Sequence, residues 1–360
     1  MASTTQFAPP RVKLDIDQRV HAYLADKQTR DNPVMYIKAV LAIGLAVLTY
    51  VWLVYWTSTV AQGALAGFAL SCAIAAVGFN IQHDANHGGF SRVPAINKAL
   101  GLTLDLAGAS SYFWADKHNH NHHVYTNISL EDADLQAGNL VRFSHDHEWR
   151  PFHRYQHLYM WVLYFAIHYR YLYADFQRLL FGKADGLSAP YPRGWHLVAL
   201  LGGKVFFFTF AFIVPLQTHS VGQVISGYLY VVGLIGLYSG IVFQSAHSVD
   251  NVDHPGMADA PNLDEWVVHQ IRTTSNFAPD SRFWTSVLGG LNYQREHHLF
   301  PKINHIHYPA IARIVKQVCD EHGIAYCEHP TFGAAIRSHY RFLRSLGQPS
   351  STPVPASGIA

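Results

Sequence analysis

Histidine is crowded at three places in this sequence. "QHDANHGG" holds His83 and His87, "KHNHNHHVYTN" holds His118, His120, His122 and His123, and "NYQREHHLFP" holds His297 and His298. A neutral imidazole is a ligand for iron, zinc, copper or nickel. Residues four apart on a helix share a face one turn apart, so His83 pairs with His87 and His118 with His122. His123 adds an adjacent ring to the second cluster. His120 lies about 200° around the helix from His118, at 3.6 residues per turn, and is expected to be a bystander or a supporting group. Gln294 precedes His297 by three residues, so one turn would bring its amide beside the third cluster.

Taken singly, each cluster also fits a blander role, such as a pair of interfacial histidines or solvated loop polarity. His247, in "FQSAHS", would by itself be read as structural. Together the clusters supply eight imidazoles, His83, His87, His118, His122, His123, His247, His297 and His298. One ion takes roughly four to six ligands, so two metals fit the count. Asp116, Glu131, Asp132 and Asp134 are nearby carboxylates. They are either solvated charge or acceptors for the second ring N–H of a ligand histidine. A zinc protease motif is disfavoured because Asp84 stands where His-Glu-x-x-His needs Glu. The paired Glu-x-x-His motifs of ferritin-like di-iron bundles are absent.

The elements that must position these groups are apolar. The chain has 360 residues, is 49% hydrophobic and only 14% charged, against about 25% charged in an average soluble domain. Four stretches are long enough to span a bilayer, at about 20 residues each: 36–56, 59–82, 196–216 and 221–246, with Lys38 and Lys204 their only charges. The short connections within the first pair and within the second carry no Lys or Arg, so the positive-inside rule puts both outside. The ends of spans two and four, and with them the histidines, then face the cytosol. The expected fold is all-α and membrane-embedded: four transmembrane helices in two hairpins with a cytosolic helical cap holding a di-metal site.

Two further apolar stretches, 99–115 and 155–169, read as interfacial or re-entrant helices. Residues 1–32 form a polar cytosolic arm without the apolar core of a secretion signal, 33–325 the catalytic domain, and 326–360 a cytosolic tail whose Pro/Ser-rich end is expected to be disordered. Cys72, Cys319 and Cys327 make no disulfide framework. A formal charge of +2 gives no sign of a nucleic-acid partner.

The ordered boxes "HDANH", "HNHNHH" and "QREHH" resemble the three histidine boxes of the membrane fatty acid desaturase superfamily, H-x(3,4)-H, H-x(2,3)-H-H and [HQ]-x(2,3)-H-H. The flanking "VYTN" and "EHHLFPKINHIHYP" are similar to the family as well, and the resemblance covers roughly residues 32–325. It implies a di-iron centre with His83, His87, His118, His122, His123, His297 and His298 as ligands and His247 as the extra histidine after the last span. Gln294 stands where the first histidine of box three would be, which resembles the front-end branch. Metal ligation is therefore assigned to these eight histidines and Gln294, with Asp84, Asp116, Asn127 and Asp134 supporting them.

The reaction that the resemblance implies takes two hydrogens from adjacent carbons of a fatty acyl chain, as acyl-CoA or acyl-lipid, and reduces O2 to water. The implied product is delta-6-like. The His-Pro-Gly-Gly motif of a fused cytochrome b5 domain is absent, so a separate electron donor of ferredoxin or cytochrome b5 type, with its reductase, is expected, as in bacterial linoleoyl-CoA desaturase-like enzymes. A related di-iron hydroxylase, acetylenase or carotenoid-modifying oxygenase would share every ligand. A His-rich metal transporter is the non-enzyme alternative, and it predicts ionisable groups at the bilayer midplane.

Overall fold

The computed structural model describes residues 9–136, 138–184, 187–256 and 266–349. Four of its helices are long and apolar enough to cross a membrane: Pro33–Tyr55, Val60–Asn86, Trp195–Gln217 and Val221–His247. They coincide with the four expected spans. Their starts are written in the sequence. The Asn32 side chain caps Pro33–Tyr55 (α2) by accepting from the Val34 N–H, with proline in the first turn. Thr59 with Gln62 and Ser220 with Gln223 form reciprocal capping boxes at Val60–Val77 and Val221–His247, each satisfying two donors that a helix end leaves free.

The first helix, Pro9–Leu24 (α1), buries Val12, Ile16, Val20 and Leu24 on one face. They pack with Ile271, Tyr308, Ile311 and Val315 in the largest core cluster. The segment read as an N-terminal arm packs through this face, because four apolar residues at spacing four give it a buried stripe.

Span two is α3, Val60–Val77, then a π turn over Gly78–Gln82 and the short helix His83–Asn86 (α4). A π turn leaves one backbone group out of the ordinary ladder. Asn80 compensates by donating from Nδ2 to Ala76 O and Val287 O, both at 3.0 Å.

The stretch expected as one interfacial helix at 99–115 is divided. Pro94–Gly101 (α5) and Thr103–Leu106 (α6) are followed by a turn in which Gly108 has φ +102°, and then by Ser111–Ala115 (α7). A second π segment, Asp116–His122, leads into His123–Tyr125 (α8).

Gln156–Phe165 (α9) and Ile167–Phe181 (α10) cover the second interfacial stretch and run past it. On α9, Leu158, Val162 and Phe165 are exposed, and on α10 Tyr173, Phe176 and Leu180. Those spacings put an apolar stripe on the outside, the pattern of a helix lying in a membrane interface.

Span three, Trp195–Phe208 (α11), continues through a π turn over Thr209–Ile213. Its Lys204 is buried and pairs with Asp175 of α10 at 2.5 Å while donating to Gly108 O at 2.6 Å. Span four is α12, Val221–His247, and packs against α3, α9 and α10.

Past span four come Trp266–Thr273 (α13), Arg282–Val287 (α14), Gln294–Leu299 (α15), Tyr308–His322 (α16) and Phe332–Leu346 (α17). Asn276–Phe277 (β3) pairs in parallel with Glu328–His329 (β4), and Lys183–Ala184 (β1) pairs antiparallel with Leu187–Ser188 (β2). The stretch read as a C-terminal tail from 326 carries β4 and α17. β4 closes a sheet, and α17 buries Ala335, Phe342, Leu343 and Leu346. The expected disordered end, after 349, falls outside the described residues.

Candidate metal centre

Box one hangs from the end of span two. α4 holds His83, and His87 caps it one turn later, both buried. Box two lies on the π segment, which departs from the ordinary helix that its spacing predicts. The departure has a chemical result. A π turn aligns residues five apart, so the rings of His118 and His123 meet with Nε2 atoms 3.3 Å apart. His122 is turned to the other side of the cluster, 4.7 Å from His247 and 5.1 Å from His298, ring centre to ring centre. His120 projects outward and is mostly exposed, with Asp116 at 3.8 Å.

Box three is held from behind. Arg295, fully buried, donates to Ile271 O, Thr274 O and Cys327 O. Asn276 accepts from the Arg295 backbone N–H and donates to Glu296 at 2.7 Å, and the Tyr326 hydroxyl also donates to Glu296. Burial raises the Glu296 carboxyl to about 7. Ahead of α15, Gly289 (φ +58°) and Gly290 (φ +72°) let the chain pass against the π turn of span two and against His305. A Cβ at these positions would come within 2.2 Å of Phe79 O and 2.6 Å of His305 Cβ.

The predicted residues converge in two groups. His83, His87, His118 and His297 have ring nitrogens within 4.8 Å of one another, and His122, His247 and His298 do likewise. His123 bridges them, with its Nε2 3.0 Å from His297 Nε2 and its ring stacked on His298 at 4.2 Å. The Gln294 amide lies in the second group, 3.1 Å from His247 Nε2 and 3.4 Å from His298 Nε2.

Three of the rings have acceptors or polar neighbours at the nitrogen that faces away from the cluster. His122 Nδ1 meets both carboxylate oxygens of Asp132, at 3.0 and 3.1 Å. His298 Nδ1 meets Gln270 Oε1 at 2.8 Å, and His297 Nδ1 lies 3.4 Å from the Tyr308 hydroxyl. A proton held on Nδ1 by such a partner leaves the Nε2 lone pair pointing inward.

Burial, reinforced by neighbouring imidazoles, pushes His87, His118, His123, His297 and His298 well below the ordinary histidine range. They are held neutral, as ligands must be. Burial also acts downward on His122, but Asp132 and Asp134 outweigh it and raise this one ring. Inward lone pairs crowded at 3.0–3.3 Å repel one another unless a cation lies between them. Moreover, Nε2 of His83, Nε2 of His87 and Oε1 of Gln294 are buried without a hydrogen-bond partner among the described residues. Seven or eight imidazoles with one amide oxygen, divided between two sets, fit a pair of borderline transition-metal ions.

The supporting residues divide. Asp84 meets His305 Nδ1 at 2.9 Å and lies 4.0 Å from His83 Nδ1. Asn127, held at φ +59°, ties down the chain around span four by donating to His247 O at 2.8 Å and Thr273 O at 3.0 Å. Asp134 binds Lys117 at 2.7 Å and approaches His122 at 3.5 Å. Asp116 does not support a cluster histidine. It faces His120, since both lie on the outward side of the π segment.

Asp132 takes the role expected of Asp116. It was visible as one of four nearby carboxylates, with nothing in the sequence to single it out. Gln270 gave no signal, arriving from α13 with its Nε2 on His123 O at 3.1 Å. His305, expected at the surface or in a supporting place, is buried in a chain from Lys38 (2.7 Å) to Asp84.

An apolar cavity opens beside the cluster. Its wall includes His83, Gln82, Phe79 and Trp114, and it reaches Ile74 of span two and Ile235 of span four. It runs, therefore, from the histidines into the membrane-spanning part of the molecule.

The fatty acid desaturase family profile matches residues 52–330. Among curated proteins, the chain is 38% identical over 339 residues to an sn-1 linoleoyl-lipid 6-desaturase of Arthrospira platensis, covering 92% of this chain and 91% of that protein. It is also 38% identical over 341 residues to a protein of the same name from a Synechocystis species, covering 93% and 95%. An acyl-lipid (8-3)-desaturase of Physcomitrium patens is 32% identical over 343 residues, 93% of this chain and 71% of that one.

Proposed function

The chain belongs to the fatty acid desaturase family, and from that premise we propose that it is an O2-dependent, front-end, delta-6-like desaturase acting on an unsaturated acyl chain carried by a lipid. The observation that carries this reading is the convergence of the three boxes, His247 and Gln294 on one buried cluster beside an apolar cavity. The lipid carrier and the position rest on the printed names of the two relatives that match over nearly their whole length.

On this reading His83, His87, His118 and His297 would hold one iron, and His122, His247, His298 and Gln294 the other, with His123 between them. Such a di-iron centre supplies the O2-derived oxidising power that removing hydrogen from an unactivated methylene needs. The protein's own residues do the rest. Asp132, Gln270 and Tyr308 fix the orientation of His122, His298 and His297 through their outer nitrogens. The cavity binds the acyl chain by burying CH2 groups, at about 0.8 kcal/mol each, and keeps bulk water from the reacting carbons.

The two helix pairs with outward tight connections, the cap of box-bearing helices and the cytosolic side of the centre belong to the same reading. The uncharged connections and the charge pattern around the spans support them. Electrons would come from a separate ferredoxin or cytochrome b5 type donor. A di-iron hydroxylase is the competing reading, since it could use the same ligands.

Expression in a host of defined lipid composition fed with linoleate, followed by mass spectrometric location of double bonds, tests the proposal. The expected product carries one new double bond on the carboxyl side of the existing pair. A hydroxylated chain without a new double bond would overturn it.

A further inference from the structure

Gln82 is the residue before the first box histidine. It is only 6% exposed, and its side chain helps to wall the cavity beside His83. Its Nε2 finds no hydrogen-bond partner among the described residues. An amide in an apolar cavity is a liability for holding a saturated chain. A saturated chain in the cavity leaves that N–H without a partner, since methylenes offer no acceptor. A carbon–carbon double bond does offer one, since its π electrons accept weakly from N–H, as aromatic faces do.

We infer that Gln82 is a specificity-determining residue: its amide N–H reads a double bond already present in the acyl chain. The position is right for this. The cavity leads from His83 toward Ile74 and Ile235 in the spans, so the methyl end of the chain lies deeper. In a linoleoyl chain desaturated at position 6, the first existing double bond lies a few carbons to the methyl side of the reacting carbons. That is next to Gln82 if the reacting carbons are at the cluster. The remaining wall is mostly apolar, with His168 and Tyr171 contributing from α10. The inference rests on the desaturase reading and names the feature of the substrate that this site selects.

The test compares wild type with Gln82→Leu and Gln82→Met, which keep bulk and remove the donor. Cells receive linoleate and stearate in equal amounts. The ratio of converted unsaturated to converted saturated chains is read by mass spectrometry, with iron per chain measured on the same preparations. Both variants should lose about two- to fivefold of the wild-type ratio, the worth of a weak N–H···π contact, while keeping wild-type iron. An active variant that retains the wild-type ratio overturns the inference. So does an equal loss on both chains, which would mean that the amide serves an ester or thioester carbonyl. Should neither variant accumulate, wild type is assayed with chains of one length whose single double bond is moved stepwise. Conversion independent of its position overturns the inference, and a maximum with the bond a few carbons past the reacting pair supports it. A wild type that converts no acyl chain at all fails the desaturase reading itself, whereas a desaturating wild type with unchanged variants fails only the role of Gln82.

Discussion

Three histidines in the cluster, His122, His297 and His298, are specified twice, once by the nitrogen turned inward and once by what holds the other nitrogen. For His122 that holder is Asp132, which also accepts from the backbone N–H groups of Asn127 and Asp134. Outer partners of ligand histidines are commonly worth about 10–100-fold in metal affinity or activity. Asp132→Ala should therefore lower iron occupancy and desaturation by about that factor, whereas Asp132→Asn, which keeps an acceptor oxygen, should lose less. Iron per chain after dialysis against a chelator checks both, and equal iron in Asp132→Ala and wild type would contradict the assignment. His120 and His122 form the matching pair within box two. His120→Ala removes an outward, mostly exposed ring that lies near Asp116 and should leave iron content near wild type, while His122→Ala should deplete it. Equal loss in the two variants would mean that the ligand register is wrong.

At the scale of elements, the π segment Asp116–His122 is what makes box two work. Its residues give no sequence cue for a π turn, since the same side chains sit comfortably on an ordinary helix. The spacing points to imidazoles that the fold does bring together, but on a π rather than an α backbone. The turn is stabilised by partners remote in sequence. Asn119 donates to Asn86 O, and Asn121 donates to Glu131 O and accepts from Ala133 N. Such pairings become visible only when the chain is folded. The same reason hid Gln270 and His305, whereas the spans and the boxes were legible because apolar length and i,i+4 spacing are local properties. A sharp prediction follows from the extra residue in the turn. Inserting an alanine after His120 adds a residue that the turn cannot absorb and rotates His122 and His123 by about 100°, one residue's share of a turn at 3.6 residues per turn. The insertion should abolish iron binding even though His120→Ala is tolerated, with helix content by circular dichroism little changed. Deleting His120 instead closes the π turn to an α turn with His118 and His123 four apart on one face, and should cost much less iron; equal loss in the two would contradict this account of the turn.

Across the whole molecule, the interfacial helices must be fixed to the spans, because the cavity wall is shared among α3, α6, α10 and α12. Lys204 of span three does this from inside the apolar region. It reaches Asp175 of α10 and Gly108 O beyond α6, and the same Asp175 accepts from Ser110 N at 2.7 Å. One buried ion pair thus ties together three segments that are distant in sequence. The sequence marked Lys204 as anomalous for a span but could not name its partner, since Asp175 lies in a stretch with ordinary interfacial composition. Removing one member of a buried pair typically costs about 3–5 kcal/mol, because the other charge is left without compensation. Lys204→Met should therefore lower thermal stability in detergent markedly, whereas Lys204→Met combined with Asp175→Asn should regain most of the loss by removing the stranded carboxylate. If the pair positions the cavity wall as well as stabilising it, the double variant will keep its iron yet show altered chain-length preference, because α6 and α10 can then shift against span three. A double variant as unstable as the single one would show that the carboxylate's contact with Ser110, rather than the ion pair, holds these segments in place.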